Sequence, residues 1–139
     1  MQTDGPAQWT AAVGSALTAA DAAPDTVTAE KTETDGWSVD WEGQCRRIPV
    51  WFTLYGHHAA PTAEVRINDW IFSPVRLDQV EELLVKALTG DAMLRRGIAG
   101  LTPWRLEITV GEEIITNDDR EGSGKPDSAW ELKLLQNPR

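Results

Sequence analysis

Ile48-Pro49-Val50-Trp51-Phe52-Thr53-Leu54-Tyr55 is the most strand-like run in the chain, and it is apolar on both sides. In extended backbone, alternate side chains point to opposite faces. One face takes Ile48, Val50, Phe52 and Leu54. The other takes Pro49, Trp51, Thr53 and Tyr55, with Arg47 just ahead of them. A strand with one wetted face alternates between apolar and polar residues. This one does not, so it is predicted to lie inside a sheet with cover on both sides, with Pro49 at its entry or at a bulge.

The flanks read as further strands. Upstream, Trp37, Val39 and Trp41 alternate with Ser38, Asp40 and Glu42, the pattern of a half-buried strand. Asp35-Gly36 is a hairpin signal before it, and Glu42-Gly43 is the predicted turn after it. Thr26 to Thr34 suits an edge strand. Downstream, the run from Gly56 to Pro61 reads as a loop and Ala63 to Phe72 as the next strand. In that strand Asn68-Asp69 is a candidate bulge that would change the facing of Trp70 and Phe72. Without it, Asp69 points to the core side and needs a partner such as an arginine. Residues 26 to 72 are therefore expected to form an antiparallel meander.

Helical spacing appears on either side of the meander. Val80, Leu83, Leu84, Ala87 and Leu88 form one stripe, with Asp78-Gln79-Val80-Glu81 as a capping start, Ser73-Pro74 as a competing earlier start and Gly90 as a stop. This helix should cover one face of the sheet. Trp9, Val13, Ala16, Leu17 and Ala20 form a narrower, alanine-rich stripe after Asp4 and Pro6, which predicts a peripheral helix ending at Ala22-Ala23-Pro24. Beyond Gly90, residues 91 to 103 suggest a short helical turn and a loop. Trp104 to Val110 and Glu112 to Thr116 read as strands, and Asn117 to Ser128 as a mobile loop. Trp130, Leu132 and Leu134 alternate like a last strand. The order predicts a single α+β domain over residues 1–139 with a mainly antiparallel sheet.

Composition narrows the functional classes. The chain has 139 residues, 41% of them hydrophobic, which suits one folded domain. Its formal net charge of −9 opposes binding to phosphate backbones or anionic membranes and admits a partner with a basic surface. Cys45 is the single cysteine, Met1-Gln2-Thr3-Asp4 lacks the basic start of a signal peptide, and no apolar run reaches membrane-spanning length. A cytoplasmic location is expected.

The candidate chemistry is thin. His57-His58 is adjacent, so the two rings diverge in extended chain, and no spaced ligand set joins them. Gly122-Ser123-Gly124-Lys125 echoes a phosphate loop, but Asp119 and Pro126 stand where the motif needs Gly and Ser or Thr. Asp40 with Glu42, Glu112-Glu113 and Asp118-Asp119 read as solvated acidic edges. Cys45 beside Arg46 and Arg47 reads as a quiet strand cysteine. No cofactor, metal site or catalytic set is expected.

What remains is the second face of the central strands: Trp51 and Tyr55, with Trp70 and Phe72 beside them, edged by Arg47 and Arg66. The opening helix can cover it and finish the core. If it does not, an aromatic and arginine patch of the kind found at interface hot spots is left for another molecule. The leading expectation is a non-enzymatic protein-binding domain of the inhibitor, immunity, antitoxin, chaperone or adaptor kind. The rivals are a carbohydrate or small-molecule module with a Trp/Tyr platform, an enzyme with a His57/His58 pocket, and a homodimer through the aromatic face.

Overall fold

The computed structural model describes residues 5–22, 27–31, 36–57, 61–96, 104–121 and 125–136, and these described residues run through twelve elements. These are α1 (Gly5–Ala19), β1 (Thr28–Lys31), β2 (Gly36–Cys45), β3 (Ile48–His57), β4 (Thr62–Ile67), β5 (Trp70–Arg76), α2 (Leu77–Thr89), β6 (Met93–Arg95), β7 (Arg105–Val110), β8 (Glu113–Thr116), β9 (Asp119–Arg120) and α3 (Ala129–Leu135). The fold is α+β. One sheet has the order β1-β2-β3-β4-β5-β9 and a smaller one β6-β7-β8, with every pairing antiparallel. β3 lies between β2 and β4, inside the large sheet.

Directly opposed residues in an antiparallel ladder share a face. Leu54 opposes Val39 and Val65, and Phe52 opposes Trp41 and Ile67. Phe72 and Trp70 continue the two rows on β5. All of these side chains are buried. This is the inner face of the sheet, and all three helices lie on it. α2 buries Val80, Leu83, Leu84, Ala87 and Leu88 there and meets β7 along its flank. Lys86 donates to the Thr109 carbonyl and Gly111 N–H donates to Glu82, which fixes that flank.

α1 is a core element where its alanine-rich composition predicts a peripheral one. Val13, Ala16 and Leu17 have no exposed surface, and the helix packs beside α2. Trp9 sets its position, with its ring centred 5.3 Å from that of Trp37 on the inner face. The small residues of the stripe let two helix backbones approach closely, so the shortage of large side chains here means tight packing. α1 therefore does not cover the second face of the sheet.

Several local expectations are corrected. Glu42-Gly43 is not a turn: β2 runs on to Cys45, and the reversal is made by Arg46 and Arg47 at φ 54° and 70°. Positive φ at both central residues is what a two-residue hairpin of matching twist requires. Gly43 is instead glycine because a Cβ there would stand 2.8 Å from Cζ2 of Trp41. Gly56 and His57 belong to β3, not to a loop. Ala63 to Phe72 is two strands joined by Asn68-Asp69, with Asn68 at φ 51°, and the side chain of Asn68 accepts from Trp51 N–H at 3.1 Å. Asp69 is exposed in that turn.

Ser73-Pro74 lies within β5, and α2 begins at Leu77, with Gln79 accepting from Arg76 N–H at 3.0 Å. Met93–Arg95 is a strand where a helical turn was expected. Within the predicted loop, Asn117 and Leu106 exchange bonds, Asp118 N–H donates to the Ile71 carbonyl and β9 pairs with β5. The chain thus passes from the small sheet to the large one within two residues. The last predicted strand is the helix α3, started by a capping box in which Ser128 and Glu131 each accept the other's backbone N–H. Residues 4, 23, 24, 35, 58, 98, 101 and 122–124, which carry predicted caps, turns and loops, lie outside the described residues. Among the described residues, no helix is long and apolar enough to cross a membrane.

Cys45 is buried on the inner face, and its thiol donates to the Ala20 carbonyl at 3.4 Å. Burial pushes the thiol pKa up, Arg46 pulls against it, and Asp21 adds to the rise. Raised pKa and occlusion act together against the thiolate. Disulfide exchange with a chromogenic aryl disulfide at pH 8 should therefore be slower in the folded protein than in urea, by on the order of tenfold or more. Equal rates would mean that Cys45 is accessible.

Candidate interaction face

The outer face of the large sheet follows from the register of the inner one. Glu42 opposes Trp51, Asp40 opposes Thr53, and Ser38 opposes Tyr55. Across β3, Thr53 opposes Arg66 and Tyr55 opposes Glu64. Ile71 opposes Arg66 on β5. Of the described helices only α3 comes to its border, where Ser128, Ala129 and Glu131 line a hollow of about 360 Å³ with Glu42 and Trp51.

Two clusters stand on it. In the first, the Arg66 guanidinium is centred 5.4 Å from the Tyr55 ring. Glu64 accepts from Arg66 Nε at 2.7 Å and Glu121 from Nη1 at 2.8 Å. The bond to Glu64 holds the guanidinium still more firmly protonated. Tyr55 nevertheless keeps 44% of its surface exposed. In the second cluster, Trp51 is half-buried beside Glu42, and Asp40 accepts from the Thr53 hydroxyl at 2.7 Å.

Of the residues singled out in the sequence, Trp51, Tyr55 and Arg66 share this face. Arg47 sits exposed at the tip of the β2–β3 hairpin, beyond its end. Trp70 is on the other side of the sheet, fully buried, where its indole N–H donates to Glu131 at 2.8 Å. Phe72 is buried on that side too. The turn at Asn68-Asp69 is the reason: it puts Trp70 in the row of Phe52 and Ile67.

His57 is exposed at the end of β3 and lines a hollow of about 440 Å³ with Tyr55, Glu64 and Ser73. His58 lies outside the described residues. Among the described residues no hydrogen bond joins His57 to a nucleophile or a carboxylate, and no group of three or more His, Cys, Asp or Glu side chains could hold a metal ion. Of the acidic pairs, Glu113 accepts from Gln79 and approaches Arg76, and Asp118 accepts from Ser73 N–H.

Asp40 and Glu42 belong to the surface although their sequence pattern reads as a solvated acidic edge, and they join Thr53 there. The signal that places them against Trp51 is the hairpin register, and that depends on the turn at Arg46-Arg47. No protein-family model, curated protein or solved structure matches the chain.

Proposed function

We propose that this chain is a non-enzymatic protein-interaction domain of the inhibitor, chaperone or adaptor kind, working inside the cell and binding its partner through the outer face of the large sheet. The observation that carries this reading is the one-sided placement of the helices. α1, α2 and α3 all lie on the inner face, which leaves Trp51 and Tyr55 at the middle of the outer one. Large aromatics on a flat surface beside a held arginine are the residue types that dominate binding energy at interfaces. A sheet face is also rigid, so little ordering entropy is lost on docking.

The test compares the full chain with a Trp51→Ser/Tyr55→Ser variant, each immobilised and exposed to the same cell extract. Proteins retained by the parent should bind the variant about thirtyfold more weakly or worse, the loss expected for two hot-spot residues. Matching far-UV spectra and melting curves would show that both are folded. Identical retention by both proteins, or saturable turnover of a substrate by the parent, would overturn the proposal.

A further inference from the structure

We infer, resting on the reading above, that the outer face takes a cationic segment of its partner, with an arginine or lysine side chain seated on Trp51 between Asp40 and Glu42. The argument begins with a comparison of the two clusters on the face. Around Tyr55 an aromatic ring, two carboxylates and a guanidinium form a closed set, with Arg66 over the ring and bonded to Glu64 and Glu121. Around Trp51 the ring and two carboxylates are present, and among the described residues no cation pairs with them. Among the described residues, the Glu42 carboxylate has no hydrogen bond or ion pair, and the Asp40 carboxylate bonds only the Thr53 hydroxyl, through Oδ1. A carboxylate has about four acceptor positions, so most of the capacity of both is unused.

The geometry suits a side chain of this kind. Asp40, Glu42, Trp51 and Thr53, with Thr28 at the β1 side, line a hollow of about 320 Å³. Residues opposed on neighbouring strands have Cβ atoms about 5 Å apart, so the side chains of Glu42 and Trp51 start as neighbours on this face. Indole is the strongest of the aromatic rings in attracting a cation over its face. A guanidinium or ammonium stacked there would meet the carboxylates at its rim, and its aliphatic stem would cover the rest of the ring.

Charge selects the occupant. Around Trp51 and Tyr55 the face carries Asp40, Glu42, Glu64 and Glu121, with Arg66 already bonded to Glu64 and Glu121, in a chain of net charge −9. A second copy of this chain would set carboxylates against carboxylates, and a phosphate backbone would be repelled. A basic polypeptide segment is attracted at long range and finds a partner for each unpaired carboxylate.

The probe is an acetylated, amidated heptapeptide, Gly-Arg-Gly-Lys-Gly-Arg-Gly, and its counterpart with citrulline for arginine and norleucine for lysine. Each is titrated into the ¹⁵N-labelled full chain while the indole N–H signals are followed. The cationic peptide should move the Trp51 signal to saturation at about millimolar concentration, and the neutral peptide should be at least tenfold weaker. Asp40→Asn/Glu42→Gln, which keeps both side-chain shapes, should lose tenfold or more. A Trp51 signal that does not saturate by about 5 mM, equal binding of both peptides, or unchanged binding by the double variant would each overturn the inference. The two proposals fail separately. A partner lost by Trp51→Ser/Tyr55→Ser but kept by Asp40→Asn/Glu42→Gln leaves the face and removes the cation; a partner kept by both variants removes the face as well.

Discussion

Gly56→Ala should lower the stability of the domain by about 3 kcal/mol, the upper end of what overpacking by a single methyl group does. A Cβ at position 56 would stand 2.2 Å from Cζ2 of Trp37 and 2.6 Å from its Cε2. Carbon atoms in contact rest at about 3.5–4.0 Å, so more than an ångström of movement is needed. The ring has little room to retreat, because Trp9 lies against it at 5.3 Å. The strand cannot bow away either, since Gly56 is laddered to Trp37 on one side and to Ala63 on the other. Backbone preference alone gives the opposite sign, because alanine in a strand is favoured over glycine by about 0.5–1 kcal/mol. The direction of the measured change therefore decides which effect wins. Urea unfolding followed by far-UV circular dichroism gives the value. The same substitution in a Trp37→Leu background should be close to neutral, because the atoms that clash are gone. A loss of similar size in both backgrounds would place the cause elsewhere than the ring.

Gly56 also shows why only part of this fold is legible in the sequence. Trp37 and Gly56 are nineteen positions apart in the chain and directly opposed in the sheet. Nothing local marks that glycine as the seat of an indole, so it reads as the start of a loop. Gly43 misleads in the same way, since it makes room for Trp41 and not for a turn. The true reversal uses Arg46 and Arg47, residues with no preference for positive φ. What could be read was whatever one element decides alone: the two apolar rows of β3, the stripe of α2, and the presence of Trp51 and Tyr55 on one face. What could not be read needed a register between elements. Trp70 went to the wrong face because a two-residue turn shifts everything after it, and Asp40 and Glu42 were detached from Trp51 because their pairing depends on a distant hairpin tip.

The same limit explains α3, and its core contact supplies the second large effect. Trp130 and Leu134 fit both a two-residue and a four-residue spacing, so the alternation at Leu132 was decisive in the wrong direction. Leu132 is 47% exposed while its neighbours two residues away are buried. The helix is set by Glu131, which does three things at once. One oxygen accepts from Ser128 N–H at 3.1 Å and closes the capping box. The other accepts from the Trp70 indole at 2.8 Å and stands 3.7 Å from an Arg120 nitrogen. Arg120 in turn lies 4.7 Å over the Trp70 ring. A carboxylate that is 4% exposed thus ties β5, β9 and α3 together.

Glu131→Ala leaves the buried indole N–H without its acceptor and removes the carboxylate that stands 3.7 Å from the Arg120 guanidinium. Removing one member of a buried ion pair typically costs about 3–5 kcal/mol, and a large part of a small domain's total of about 5–15 kcal/mol would go with it. Glu131→Gln separates the contributions. Its amide oxygen can still accept from the Trp70 indole, while the amide nitrogen that replaces the other oxygen cannot accept from Ser128 N–H. The charge and one capping bond are lost but the buried indole stays satisfied, so the loss should fall short of that in the alanine variant. Urea midpoints for the two variants and for Arg120→Met, which removes the guanidinium while keeping much of the side-chain volume, give the comparison. If Glu131→Ala lost less than about 1 kcal/mol, the carboxylate would have to be hydrated, and α3 would owe its place to Trp130 and Leu134 alone.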